Sequence, residues 1–251
     1  MKKITITLIV AIALILSACA ELLKTLETVT AVAPLTEGEV SQGLKEALIT
    51  GAKNSAAKLG ATDGYFGDEL IKILLPEEAN VIIENISKIP GGDKLVQDAI
   101  LSINRAAEDA AREVAPIFIA SVRQMTIGDA FSILRGEDDA ATQYLHRTTY
   151  NELFNLYSPK IESSVRKPLV AGVSTQDSWE ALTGQWNKLA NSVAGRIAGL
   201  KSVDTDLGDY LTAKALEGMF VKVAEEELKI RKDVNARVSP ILQKVFGSLD
   251  K

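Results

Sequence analysis

The residues of this chain with types suited to chemistry are few: one histidine, one cysteine and several groups of neighbouring acids. His146 stands beside Arg147 on a stretch that also carries Tyr150 and Leu153 at helical spacing. Catalytic triads and most zinc sites need a histidine with defined partners. A lone one in this setting reads as a surface or half-buried packing residue. Neither the HExxH pair, nor a phosphate-cradling glycine loop, nor a GxSxG elbow occurs. Glu137, Asp138 and Asp139 are consecutive, so on a helix they point about 100° apart and cannot converge on a metal. They suit the positive end of a helix. The run Asp63–Glu69 mixes acids and glycines but lacks the alternating ligands of a calcium loop. A structural turn is expected there, with Tyr65 and Phe66 tucked inward. Trp179 and Trp186 lie seven apart on one helical face and read as core. No catalytic residue, cofactor site or metal site is expected.

Glu226 and Glu227 are different. Leu216, Met219, Phe220, Val223 and Ile230 define an apolar helical stripe, and at 100° per residue positions 226 and 227 straddle its centre. A carboxylate facing a core is destabilising unless paired or hydrogen-bonded. At least one of the two is expected to meet a cation from another helix. Arg123, in the apolar stretch Ile117–Met125, is the expected partner.

The elements that position these residues begin after an N-terminal targeting segment. Met1-Lys2-Lys3 is followed by a thirteen-residue run, Ile4 to Leu16, broken only by Thr5 and Thr7. That is the anatomy of a secretory signal and is short for a membrane span. It ends Leu16-Ser17-Ala18-Cys19, which resembles the lipobox of bacterial lipoproteins. The resemblance implies cleavage of residues 1–18 and a diacylglycerol on Cys19, anchoring the chain to membrane lipid. By resemblance to Gram-negative sorting rules, Ala20 rather than aspartate after Cys19 implies the periplasmic face of the outer membrane. Residues 19–35 read as a lipidated cysteine and a tether reaching roughly 50 Å when extended.

Removing Lys2 and Lys3 with the signal leaves 26 basic against 33 acidic residues and moves the net charge from −5 to −7. An acidic chain argues against nucleic acid as a partner. With no second cysteine, no disulfide or thiolate metal site can support the fold. Residues 36–251 are expected to form a single all-α domain, a bundle of about eight to ten helices without significant sheet. Thr36 precedes an acid-led helix that Gly60 closes. A short helix is expected through Ile71–Leu75, and another opened by Pro76. From Asp93 to Val114 one face is apolar, while Asp98, Arg105, Glu108, Asp109 and Arg112 fall opposite. There Arg105/Asp109 and Glu108/Arg112 are set for i, i+4 pairs. Pro116 kinks or restarts that helix, and Ile117–Met125 is expected to be buried. The next helix, to about Tyr157, is led by Glu137–Asp139; Pro159 and Pro168 bracket a short one. Ser174 or Thr175 caps a helix whose apolar seam runs from Trp179 to Leu200. Two more run from about Asp206 to Ile230 and from Lys232 to Phe246.

Several of these segments resemble an uncharacterised bacterial family, domain-of-unknown-function family 4197. The resemblance lies in Gly43-Leu44-Lys45-Glu46-Ala47-Leu48 and in Asp63-Gly64-Tyr65 leading to Leu74-Leu75-Pro76. It is strongest in Met125-Thr126-Ile127-Gly128-Asp129-Ala130 and Ala140-Ala141-Thr142-Gln143-Tyr144-Leu145. It covers roughly residues 36–247 and implies an exported helical fold without an assigned activity. Two functions remain open. One is a binding or scaffolding lipoprotein that takes a peptide, a lipid or an envelope protein in a groove between helices. The other is a hydrolase of envelope material using paired carboxylates.

Anchoring is directly testable. The Cys19→Ser precursor is expected to stay uncut by the lipoprotein peptidase and to incorporate no labelled palmitate. A variant that still takes up the label contradicts the anchor.

Overall fold

In a computed structural model of the chain, residues 34–89, 91–203 and 206–250 are described. They hold ten α-helices and no strand; the sole β-feature among them is an isolated bridge between Val170 and Val173. The helices are α1 (Glu37–Leu59), α2 (Asn80–Glu84), α3 (Gly92–Ala111), α4 (Val114–Gln124) and α5 (Ala130–Leu134). They continue with α6 (Ala140–Val165), α7 (Thr175–Ala190), α8 (Val193–Ile197), α9 (Gly208–Lys232) and α10 (Pro240–Gly247). The fold is all-α, and Glu37–Lys251 packs as one unit.

Three long helices make the centre. α9 lies along both α1 and α6, α3 joins α6 to α7, and α4 and α10 cover α1. The apolar periodicity of each supplies the shared core, in which Leu44, Leu48, Ile103, Phe118, Leu216 and Met219 are fully buried. Small residues let backbones approach. α1 turns Gly43 toward α10, where an added Cβ would stand within 3 Å of the Val245 side chain.

Local chemistry sets the boundaries. Ser174 and Asp177 form a reciprocal capping box at the start of α7. The seam beginning at Trp179 stops at Ala190 instead of running to Leu200. Ser192 accepts a hydrogen bond from the Gly195 amide and opens a new helix, leaving Val193 and Ile197 exposed. Pro116 falls in the first turn of α4, so the restart costs no internal hydrogen bond. α4 itself buries Val114, Phe118, Ser121 and Val122 on one face but leaves Pro116 and Ala120 in solvent. It is not buried all round. Pro159 does not end a helix; α6 passes through it to Val165. The carbonyl deprived of its donor belongs to exposed Asn155, where water can satisfy it. Pro240 sits at the first position of α10. Residues 71–75 are not helical; Ile71 ends a turn closed on the Asp68 carbonyl, and residues 72–75 lead without helix or turn into Glu77–Ala79.

A close approach on α9 gives a stability test. A Cβ at Gly218 would lie 2.6 Å from Cε1 of Tyr65, a fully buried ring that cannot shift cheaply. Helix propensity alone would make Gly218→Ala stabilising by about 1 kcal/mol. Overpacking at about 1–3 kcal/mol or more should outweigh it. Gly218→Ala is expected to lower the thermal midpoint; a raised midpoint contradicts this packing.

Candidate functional site

A groove forms where the segment after α1 is strapped across α9. Tyr65 is the main strap, its hydroxyl donating to the Ala215 carbonyl at 2.7 Å. Burial pushes that phenol far above its ordinary pKa, and the Glu108 charge adds to the effect, so it remains a donor. The turn around Tyr65 is held by Glu108, whose Oε1 accepts from the amides of Tyr65 and Phe66 at 3.2 and 3.1 Å. Arg105 closes the set, bonding Glu108 at 2.6 Å and Asp63 at 2.7 Å. Glu108 is therefore buried and not on an outer face. The i, i+4 pairs expected on α3 are replaced by Arg105–Glu108 and Asp109–Arg112 at i, i+3. Next along the chain, Asp68 meets the buried Lys222 ammonium of α9 at 2.7 Å. That hydrogen bond holds the Asp68 carboxyl below its usual range.

The following residues run extended. Ile71, Ile73 and Leu75 point inward, while Leu70 and Leu74 stand in solvent. The buried Asn104 side chain grips Ile73 as a neighbouring strand would. Its Oδ1 accepts from the Ile73 amide at 2.9 Å and its Nδ2 donates to the Ile73 carbonyl at 2.7 Å. Across the gap, Tyr210 donates to the Leu74 carbonyl at 2.9 Å.

Between this segment and α9 lies an open groove of about 570 Å³. Its α9 wall is the stripe Tyr210, Lys214, Glu217, Gly218 and Val221, spaced to share one face. Apolar side chains are left in water on both sides: Leu70 is 80% exposed, Leu74 58% and Val221 39%. Lys214 is paired with Glu217 at 2.8 Å, and Lys72 lies over the Phe66 ring at 4.3 Å. Glu77 and Glu78 at the rim are exposed and carry no ion pair among the described residues.

The expected ion pair of Glu226 and Glu227 is found in a different form. Glu227 is 1% exposed and pairs with Arg231 of its own helix, at 2.7 Å from Nη2 and 2.9 Å from Nε. The other ligands of the carboxylate are the amides of Ala141 and Thr142, at 3.0 and 2.7 Å, and the Thr142 hydroxyl at 2.7 Å. It thus caps the first turn of α6 from outside that helix. Arg231 continues to the carbonyls of Leu134 and Ile133 at the end of α5. Arg123 takes no part: its side chain is exposed, and its carbonyl accepts from Lys45. Glu226 sits half-buried, bonded to Asn54 at 2.7 Å and to Lys229. Burial pushes its carboxyl up, and these two partners bring it below the ordinary value.

The remaining candidates lie elsewhere. His146 is exposed on α6, its ring 4.9 Å from Tyr150 and 4.6 Å from Phe220. Trp179 and Trp186 are in the core. Asp138 pairs with Lys232 at 2.8 Å. No cluster of three metal-ligating side chains occurs among the described residues. Cys19 falls outside them. Glu108, Asn104 and Lys222 were not singled out from the sequence. Their signal is weak: Asn104 and Lys222 flank an apolar helical stripe and Glu108 lies opposite one, and such positions are ordinarily solvated.

The fold and groove define a helical protein with a surface groove and no recognisable catalytic constellation among the described residues. The chain belongs to the family described as Protein of unknown function (DUF4197), whose model matches residues 34–247. Neither a curated protein nor a solved structure matches it.

The two neighbouring glutamates should separate sharply on mutation. Glu227→Ala leaves a buried arginine and two helix amides unpaired and is expected to destabilise by about 3 kcal/mol or more. Glu226→Ala should stay within about 1 kcal/mol of the parent. Equal losses in chemical denaturation would contradict the assignment.

Proposed function

We propose that this protein is a membrane-anchored envelope lipoprotein that acts as a binding or scaffolding module through the groove between residues 70–78 and α9. The observation that carries the reading is the set of large apolar side chains standing in water there, Leu70, Leu74 and Val221, on both walls of one concavity. Other apolar side chains, such as Leu156, Ile197 and Val238, are also exposed, but Leu70, Leu74 and Val221 converge on one concavity, and apolar patches lining a concavity mark interaction surfaces. The anchor in this reading is Cys19, and the residence is the periplasmic face of the outer membrane. No helix among the described residues is long and apolar enough to cross a membrane.

A hydrolase would need two facing carboxylates, one of them kept protonated by an apolar setting. The acids of the groove, Glu77, Glu78 and Glu217, are all exposed, and Glu217 is already paired with Lys214. Binding fits these residues better than acid–base chemistry.

Site-specific photo-crosslinking in the envelope tests the groove. A benzophenone side chain at Leu74 is expected to give a discrete adduct, whereas one at exposed Lys94 on α3 gives none. Adducts at both positions, or at neither, count against a groove-specific partner.

A further inference from the structure

The groove presents backbone as well as side chains, and this narrows what it binds. Both polar groups of Ile73 are turned to Asn104. In an extended chain successive residues turn their amide and carbonyl to opposite sides. The Lys72 and Leu74 groups therefore face away from Asn104, toward the gap before α9. Of these, the Lys72 amide is bonded to the Asp68 carbonyl and the Leu74 carbonyl to Tyr210. The Lys72 carbonyl and the Leu74 amide have no hydrogen-bond partner among the described residues. An acceptor and a donor flanking one residue are the pair that a parallel neighbouring strand engages with a single residue of its own.

We infer that the occupant of the groove is an extended peptide segment, which adds as a strand to residues 72–74 and sets a basic side chain against Glu77 and Glu78. One peptide residue donates its amide to the Lys72 carbonyl and accepts from the Leu74 amide. Its flanking side chains, two residues apart, cover Leu70, Leu74 and Val221. The two rim glutamates, which have no ion pair among the described residues, provide the charge complement for a lysine or arginine. An acyl chain would cover the same leucines but leave the open donor and acceptor unsatisfied. This inference rests on the groove being the binding site.

The probe is a blocked seven-residue peptide alternating leucine and serine between terminal arginines, titrated against the detergent-solubilised full chain. A second peptide carries N-methyl groups on its central amides; a third has glutamates in place of the arginines. The first should bind saturably below about 1 mM, and the other two at least about tenfold more weakly. Leu74→Pro, which removes the open amide and suits an extended backbone, should weaken binding about tenfold beyond Leu74→Ala without lowering the thermal midpoint. Equal binding of the N-methylated peptide, or none by the first peptide, overturns strand addition. Saturable oleate binding that Val221→Glu abolishes, with no peptide binding, identifies a lipid groove; strand addition then fails and the groove reading survives. Ligand binding indifferent to Val221→Glu removes the groove reading itself.

Discussion

One buried carboxylate carries much of this architecture. Glu227 sits where an apolar stripe demands a leucine, and it is tolerated because every lone pair has a use. Two helix-start amides, a hydroxyl and a guanidinium surround it, the kind of full satisfaction that burying a charge requires. Arg231 passes the connection on to the end of α5, and Arg237 extends it by bonding the Ile230 and Arg231 carbonyls and Asp250 near the C-terminus. The start of α6, the end of α5 and the last residues of the chain are thereby referred to one point on α9. Removing either partner leaves the other charged and dry, so breaking the pair is strongly destabilising.

The same helix works on two faces. Its inner side buries Leu216, Met219, Val223 and Ile230 against α1 and α6, with Lys222 and Glu227 as charged inserts. Its outer side, from Tyr210 to Val221, becomes one wall of the groove. The opposite wall is not a regular element and would have no reason to stay in place alone. It is held by four side chains that act as substitutes for secondary structure: Glu108, Asn104, Lys222 and Tyr65. Two of them, Asn104 and Glu108, come from α3. The groove thus depends on polar residues buried in a helical core; Leu74 is exposed because side chains alternate about Ile73, and Leu70 because it sits in the preceding turn.

The helices were legible where apolar residues recur every three to four positions, as in α1, α3 and α9, and where caps such as Ser174 or Gly60 mark an end. Legibility failed where tertiary contacts override the local rule. Pro159 reads as a helix stop, but an exposed carbonyl one turn earlier lowers the penalty. Ser192 interrupts a seam that is continuous in its apolar residues, because a hydroxyl capping an amide three residues on opens a new helix. On α3, Glu108 falls on the wheel opposite the leucines, and only the chain folding over that face makes it interior. The conflict at Glu226 and Glu227 pointed to a buried carboxylate, but to the wrong cation. Arg231 lies four residues on, on the same face as Glu227, and needed no second helix. The groove was not legible at all, since residues 71–75 look helical by composition and extended only once Asn104 and Tyr210 are in place.

Amide hydrogen exchange at Ala141 and Thr142 tests most directly whether α9 organises the fold through Glu227. The first amides of a helix ordinarily have no internal acceptor and exchange by local fraying. If the buried carboxylate holds them, both should exchange only through global opening, with protection equal to that of core amides such as Leu216. Protection at the level of a frayed terminus, with the core of α9 still protected, would contradict the account.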